Sequence, residues 1–389
     1  MANLEVYSAY FDDRENSLFT SNPSVQVLVM SAHKIEGKRI IYCNIFTESG
    51  RYAVTKGYVR EIWQRGWDPR DTFYVPNLVT CPVPKRISEY TNLVISLSRR
   101  RCRNELTAMT VVSKPQVSHK KAVAVCLKGL DYQTDFALRL LEWFEAQFLF
   151  GADTIGVYTY FLGPSTRKVL EHYEREGKIS VTSLQLPGNA PNEPRKRSKF
   201  ISENLGQKRR NELIPYNDCF YRHIFTHRYV LIIDTDEVVV PLKHKNYEAM
   251  LGAVESRDKR RLSSIMTSNV FKFPSNTSLY PANAYMLSNR QRTRKSSGPR
   301  NYGKSFCSTD TVATVFNHFA LHKLDFDVAK ALYLDENVAI KLHYKTTCPV
   351  ELQSECAALQ SDTVVDHSLD PFEQKLSQRV WKIQRLLNL

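Results

Sequence analysis

The segment Val230-Leu231-Ile232-Ile233-Asp234-Thr235-Asp236-Glu237 places two carboxylates one residue apart at the end of an apolar run. Such a run reads as a buried strand, and in open α/β sheets ligands gather outside the carboxyl ends of strands. Two close carboxylates repel each other, and a bound cation relieves that cost. A hard divalent ion such as Mg2+ or Mn2+ prefers oxygen ligands and keeps positions open for substrate phosphates. The pattern points to Asp234 and Asp236 holding a metal that grips a diphosphate. With Val238 the same residues also fit the pattern DxDxT/V, in which the first Asp is a nucleophile toward phosphoryl groups. That motif normally follows the first strand of its domain, and here at least three strand candidates precede it.

The acidic strand needs a sheet around it. Residues 122–127 form a short apolar run, 154–161 are β-branched and aromatic, and 179–184 make a third strand candidate. Between them Phe136, Leu140, Phe144 and Phe148 fall four residues apart, one apolar helix face that Gly151 closes. Ser165 caps a second helix over 166–176, and Gly177 ends it. This order predicts parallel strands with crossover helices, an α/β sheet. The polar, proline-rich residues 186–198 read as a surface loop and a candidate lid. Helical sequence resumes over 202–226 and 247–255. Residues 289–304 are basic and polar and read as mobile, and the tail from 371 looks helical. Before Lys120 the texture differs. Val25, Val27 and Val29 alternate, and residues 39–46, 52–58 and 92–98 are further short strands, as in a small β-sandwich. The expected division is a β-rich region over 1–117 and a catalytic domain over 118–389.

The chain has 389 residues, room for two or three domains at roughly 150 residues each. Its net charge of +14 suits polyanions in general. The basic clusters are short and scattered, without the interleaved aromatics of an RNA-binding sheet, so no nucleic-acid partner is expected. No run of about 18 uncharged apolar residues is present. The 8 cysteines include no CxxC pair. They suit disulfides in an oxidising lumen or buried thiols. The sequon Asn276-Thr277-Ser278 fits a secretory location.

Several blocks resemble glycosyltransferase family 92. Leu141-Glu142-Trp143-Phe144-Glu145 with Phe150-Gly151-Ala152-Asp153 is similar to its first helix, and residues 169–177 to its second. Tyr216-Asn217-Asp218-Cys219-Phe220-Tyr221-Arg222 followed by Ile233-Asp234-Thr235-Asp236-Glu237 resembles the segment leading to its metal motif. Lys304-Ser305-Phe306, His318 and His343-Tyr344-Lys345 look like its C-terminal blocks, and residues 7–14 like its N-terminal block. Tyr158-Thr159-Tyr160 departs from the pattern, which has an acidic or amide residue after the tyrosine. The resemblance implies a GT-A-like domain and an inverting β-1,4-galactosyltransferase that uses UDP-galactose and Mn2+ (or Mg2+). It also implies a type II membrane protein of the Golgi lumen, whose N-terminal anchor this sequence does not carry. The acceptor would be a glycan on a glycoprotein or glycolipid.

On this reading Asp234, Asp236 and His343 hold the metal, since Mn2+ accepts imidazole. An ordinary core or surface histidine fits position 343 as well. Asp218, Asp234, Lys304 and His318 are expected on the nucleotide-sugar side. His318 and His322 have the spacing of a helical pair, although 317–321 also reads as a strand. Asp310, between the basic loop and His318, is the expected base for the acceptor hydroxyl. The rival readings are a phosphatase acting through Asp234 and a non-enzymatic protein that binds polyanions or glycans.

Overall fold

The computed structural model describes residues 4–17, 23–35, 40–89, 92–101, 108–274, 284–298, 301–348 and 350–389. The sequon at Asn276 and Cys102 lie outside them. The chain divides into two compact units, each assembled from three stretches. The first comprises Met1–Lys120, Leu184–Arg228 and Ser308–Val328. The second comprises Lys121–Ser183, Tyr229–Cys307 and Ala329–Leu389.

The first unit opens with β1 (Leu4–Asp12), β2 (Ser24–Ser31), β3 (Ile41–Thr47), β4 (Tyr52–Glu61) and β5 (Val75–Pro82). The short α1 (Lys85–Ser88), β6 (Leu93–Ser98) and β7 (Met109–Thr110) follow. They form one sheet in the order β1-β2-β5-β4-β3-β6-β7, with each neighbouring pair antiparallel. Strand β4 serves two partners: its first half pairs with β3 and its last residues with β5. The sheet folds at this strand, and the Cys43–Cys81 disulfide joins β3 to β5 across it, with Cα atoms 5.8 Å apart. Gly57 makes room: a Cβ there would stand 2.9 Å from both Cys43 Sγ and Val79 Cγ1. The fold-over buries Val25, Val27, Val29, Ile45, Val79 and Ile95 together, a sandwich-like core.

The second unit begins with β8 (Lys121–Asp131), α2 (Ala137–Phe150), β9 (Thr154–Phe161), α3 (Pro164–Arg175) and β10 (Ile179–Ser183). The three strands are parallel, as the helix-separated order predicts. Gly151 ends α2 at φ 106°, a left-handed cap that a side chain resists. Helix α3 starts two residues earlier than a Ser165 cap suggests, with Gly163 at the cap position and Pro164 in its first turn.

The chain then returns to the first unit. Residues 186–198 are not one open loop. Asn192 Oδ1 accepts the Leu186 N–H at 2.8 Å, and Glu193 caps α4 (Pro194–Glu203). Helices α5 (Leu205–Asn211) and α6 (Leu213–His223) follow, and α6 packs on β1 and β2. That cover explains why β2 is buried along its whole length and not on alternate residues.

Strand β11 (His227–Ile232) joins the second unit's sheet next to β8, and β12 (Glu237–Pro241) and α7 (Tyr247–Arg257) follow. Then come β13 (Ser264–Lys272), α8 (Tyr285–Ser288), β14 (Gln291–Thr293) and β15 (Lys304–Ser308). Part of the basic stretch expected to be mobile is thus strand β14, paired with β13 and β20 (Thr363–Val365). In the first unit β16 (Val312–Val315) and β17 (Ala320–Lys323) form a hairpin. Strands β18 (Leu332–Tyr333) and β19 (Ala339–Tyr344), helix α9 (Cys356–Ser361) and helix α10 (Glu373–Leu387) belong to the second unit. A Cys348–Cys356 disulfide closes a short loop there, while Cys307 is a buried free thiol.

Candidate functional site

Asp234 emerges just past β11, and the chain reverses through Thr235 and Asp236 into β12. Glu237 N donates to Asp234 O at 3.0 Å, and Glu237 Oε2 accepts the Asp234 N–H at 3.2 Å. Three outside bonds fix the turn. Thr235 Oγ1 lies 2.6 Å from Tyr132 Oη, Trp143 Nε1 donates to Glu237 O at 2.8 Å, and Tyr344 N donates to Asp236 O at 2.8 Å. Strand β12 pairs antiparallel with β19, which sets Glu237 opposite His343. Side chains alternate along a strand, so Lys341, His343 and Lys345 fall on one side.

These residues make a buried floor and a more open rim. On the floor, Glu237 bonds Lys341 and lies 3.3 Å from Lys304 Nζ, and neither lysine side chain is exposed. At the rim Lys128 Nζ lies 2.9 Å from Asp234 Oδ1 and Lys345 Nζ 2.6 Å from Asp236 Oδ2. The side chains of Lys128, Asp236 and Lys345 are 32%, 31% and 30% exposed, so a ligand can reach them. Lys304 Nζ also reaches Asp234 Oδ2 at 3.2 Å.

Three carboxylates face four lysines, so with His343 neutral the cluster carries one excess positive charge. Burial alone would raise Asp234, but Lys128 and Lys304 outweigh it and hold its carboxyl well below the usual range. Burial likewise opposes ionisation of Asp236, yet His343 and Lys345 keep it low. Glu237 is held down to about 2 against its burial, chiefly by Lys304 and Lys341. Burial, helped by Lys341, pushes His343 down and favours neutral imidazole. The turn is therefore ionised and ready for a cationic or phosphate-bearing ligand.

Asp236 Oδ2 and His343 Nε2 lie 3.4 Å apart, a spacing that two donors of one ion can take. His343 Nδ1 has no hydrogen-bond partner among the described residues, and stacking on Phe271, with centroids 5.4 Å apart, orients the ring. Among the described residues no three His, Cys, Asp or Glu side chains converge as a preformed metal cage. Asp236 and His343 thus fit a borderline divalent ion in chemistry and spacing, while Asp234 is turned to two lysines.

The other expected residues stand in the first unit. Asp218 accepts from Tyr10 Oη at 2.6 Å and from Arg222 Nε at 2.8 Å. Asp310 pairs with Lys120 Nζ at 2.6 Å, its side chain 65% exposed. His318 is half-buried in the bend between β16 and β17, so it forms no helical pair with His322, whose Nδ1 lies 2.7 Å from Thr314 Oγ1. Sequence reasoning missed Lys128, Lys341 and Lys345 as members of the cluster. The every-other-residue spacing of Lys341, His343 and Lys345 was the available signal.

A family model described as glycosyltransferase family 92 matches residues 121–380. The chain belongs to glycosyltransferase family 92. That assignment replaces the phosphatase reading of Asp234, and the matched range leaves the block at residues 7–14 outside it. Crystal structures of S. aureus TarS are similar in part. The complex with UDP aligns at TM-score 0.21 and 14% identity over 41% of this chain and 38% of that one. The complex with UDP-GlcNAc aligns at TM-score 0.29 and 13% identity over 59% and 60%. These alignments are too slight to bear on the fold. The chain spans about a fifth of the length of the curated relatives it matches: UvrABC system protein B of two Anaplasma marginale strains is 25% identical over 127 residues, 33% of this chain and 19% of that protein.

Proposed function

We propose that this chain is an inverting, metal-dependent galactosyltransferase. It moves galactose from UDP-galactose to a glycan on a glycoprotein or glycolipid, forms a β-1,4 linkage, and works in the Golgi lumen with Mn2+ or Mg2+. One observation carries the nucleotide-sugar reading: Lys128 and Lys345, each about a third exposed, flank Asp234 and Asp236 beyond the end of β11. Such a rim suits a diphosphate, which lysines hold as point charges.

Asp234, Asp236 and His343 would hold the metal, which when bound supplies charge neutralisation for the departing diphosphate. Lys128 and Lys345 grip the phosphates. Lys304 and Lys341 keep Glu237 ionised, so the base of the turn presents fixed charge, while Asp234 would leave its lysine partners to reach the ion. Lys304, Asp218 and His318 are assigned to the nucleotide-sugar side. An acceptor hydroxyl attacks the anomeric carbon as the bond to the phosphate oxygen breaks, with inversion. Its proton passes to a carboxylate, for which Asp310 is proposed.

Nucleotide release from a panel of UDP-sugars, measured with Mn2+ and with chelator, tests the reading. UDP-galactose should turn over fastest, and chelation should stop it. Equal turnover with chelator would overturn the metal assignment, and preference for another sugar would overturn galactose.

A further inference from the structure

In the first unit a cavity of about 520 Å³ lies between the 73–74 segment, the loop after residue 186, and helices α4 and α5. That volume is in the range of small-ligand pockets, roughly 300–1,000 Å³. The rings of Phe73, Tyr74 and Phe200 and the carboxamides of Asn189, Asn204 and Gln207 form its main lining. Proline, alanine and threonine complete it, and no charged side chain is among the described residues that line it. This is notable in a chain with 54 Lys and Arg, because α4, which supplies Phe200, begins Pro194-Arg195-Lys196-Arg197.

The walls are fixed. Gln207 Oε1 accepts the Tyr74 N–H at 2.7 Å, and its Nε2 donates to Asn211 Oδ1 at 2.7 Å. Gly188 has φ +62°, and a Cβ there would stand 1.9 Å from Tyr74 Oη. Only glycine lets the loop close on that hydroxyl. Arg197 Nη1 donates to Asn192 O at 2.5 Å and ties α4 to the same loop. Two amides keep capacity for a ligand. Asn189 makes no side-chain hydrogen bond among the described residues, and Asn204 uses its Nδ2 on Phe200 O at 2.9 Å, which leaves its carbonyl oxygen.

We propose that this cavity binds a neutral sugar ring of the acceptor glycan. Aromatic rings offer flat apolar area for the C–H face of a pyranose, and carboxamides match hydroxyls as both donors and acceptors. The guanidinium groups against its Phe73 ring, those of Arg70 and Arg210, are already paired with Asp68. An anionic ligand would therefore be desolvated here without a cation of its own, at high cost. The description of the sugar as acceptor rests on the transferase reading; the binding of a neutral sugar does not.

The test uses the full chain in two arms. Saturation-transfer NMR with neutral, sialylated and sulfated oligosaccharides reads binding to the native protein, to Phe200→Ala and to Asn189→Asp. Kinetics read acceptor KM against donor hydrolysis in the absence of acceptor. Neutral glycans should bind the native protein, and both variants should lose that signal with unchanged melting. Their acceptor KM should rise at least tenfold while donor hydrolysis stays the same. Asn189 is an exposed loop residue, so its variant keeps the test readable if Phe200→Ala does not fold. Undiminished glycan binding by Asn189→Asp, or preference for the anionic glycans, would overturn the proposal. Absence of any UDP-sugar turnover by the native chain would instead overturn the transferase reading, while the binding arm would still report on the cavity.

Discussion

Two regions of the second unit bury lysine against carboxylate, and they differ in whether a carboxylate reaches the surface. Lys272 Nζ lies 2.6 Å from Asp366 Oδ2, with both side chains at 3% exposure or less. Ser368 Oγ donates to the same carboxylate at 2.9 Å, and Arg292 lies 3.6 Å away. That group buries its carboxylate, leaves only Arg292 partly exposed among its charged members, and ties β13 to the segment after β20. The Glu237 cluster has a floor just as dry, but it continues into a rim where a carboxylate, Asp236, and two lysines, Lys128 and Lys345, are each about a third exposed. A buried ion pair by itself is weak evidence for function, because it can be purely structural. A carboxylate and two lysines together at an open rim are the feature that points to a ligand. Glu142 makes a third case. It is buried, has no lysine partner among the described residues, and accepts the Met286 N–H on both oxygens, at 3.0 and 2.9 Å.

The comparison can be broken most sharply at Asp236. Asp236→Ala should lower transfer by ~1,000-fold, the scale of losing a preorganised electrostatic group, and leave thermal melting near native. Normal turnover in that variant would make the rim as structural as the Lys272 pair. Asp366→Ala strands Lys272 in the interior and should destabilise by about 3–5 kcal/mol, read from denaturant midpoints. Its activity per folded molecule should be unchanged, and a selective loss of activity would erase the distinction between the two clusters.

Smaller effects sharpen the contrast. Lys345→Ala should raise the donor KM about tenfold, equivalent to about 1.4 kcal/mol, with little change in kcat, and make it less salt-sensitive. His343→Ala should raise the Mn2+ concentration for half-maximal activity and leave residual turnover at high Mn2+. An unchanged requirement would make that histidine a packing residue. The smallest effect concerns Glu142. Burial pushes its carboxyl from 4.5 up to about 7, against the pull of the Met286, Leu287 and Tyr285 N–H groups and Arg139. Because the folded value lies above the unfolded one, this contribution to stability is full below about pH 4.5 and is lost as pH rises through about 7. Denaturant midpoints from pH 5 to 8 should fall more steeply in the native chain than in Glu142→Gln. Parallel slopes would show that Glu142 does not titrate in this window.

The sequence by itself determined the local periodicities and what they imply. Alternation and runs of apolar residues gave the β-rich region and the parallel strands, and the four-residue spacing from Phe136 gave α2. The apolar run ending at Asp234 located the acidic turn, because a strand that buries both faces must release its polar residues at its end. Where the sequence erred, a distant neighbour decided. Strand β2 is buried on both faces because α6 covers it, and β14 is ordered because β13 and β20 pair with it. The cluster shows the same limit. Lys128, Lys304, Lys341 and Lys345 come from three separated stretches, and each alone resembles one of many solvated lysines. Only the pairing of β12 with β19, and the placing of β8 and β15 in one sheet, brings them onto three carboxylates. Charge acts through space at a few ångströms, and the order of residues along the chain does not encode those distances.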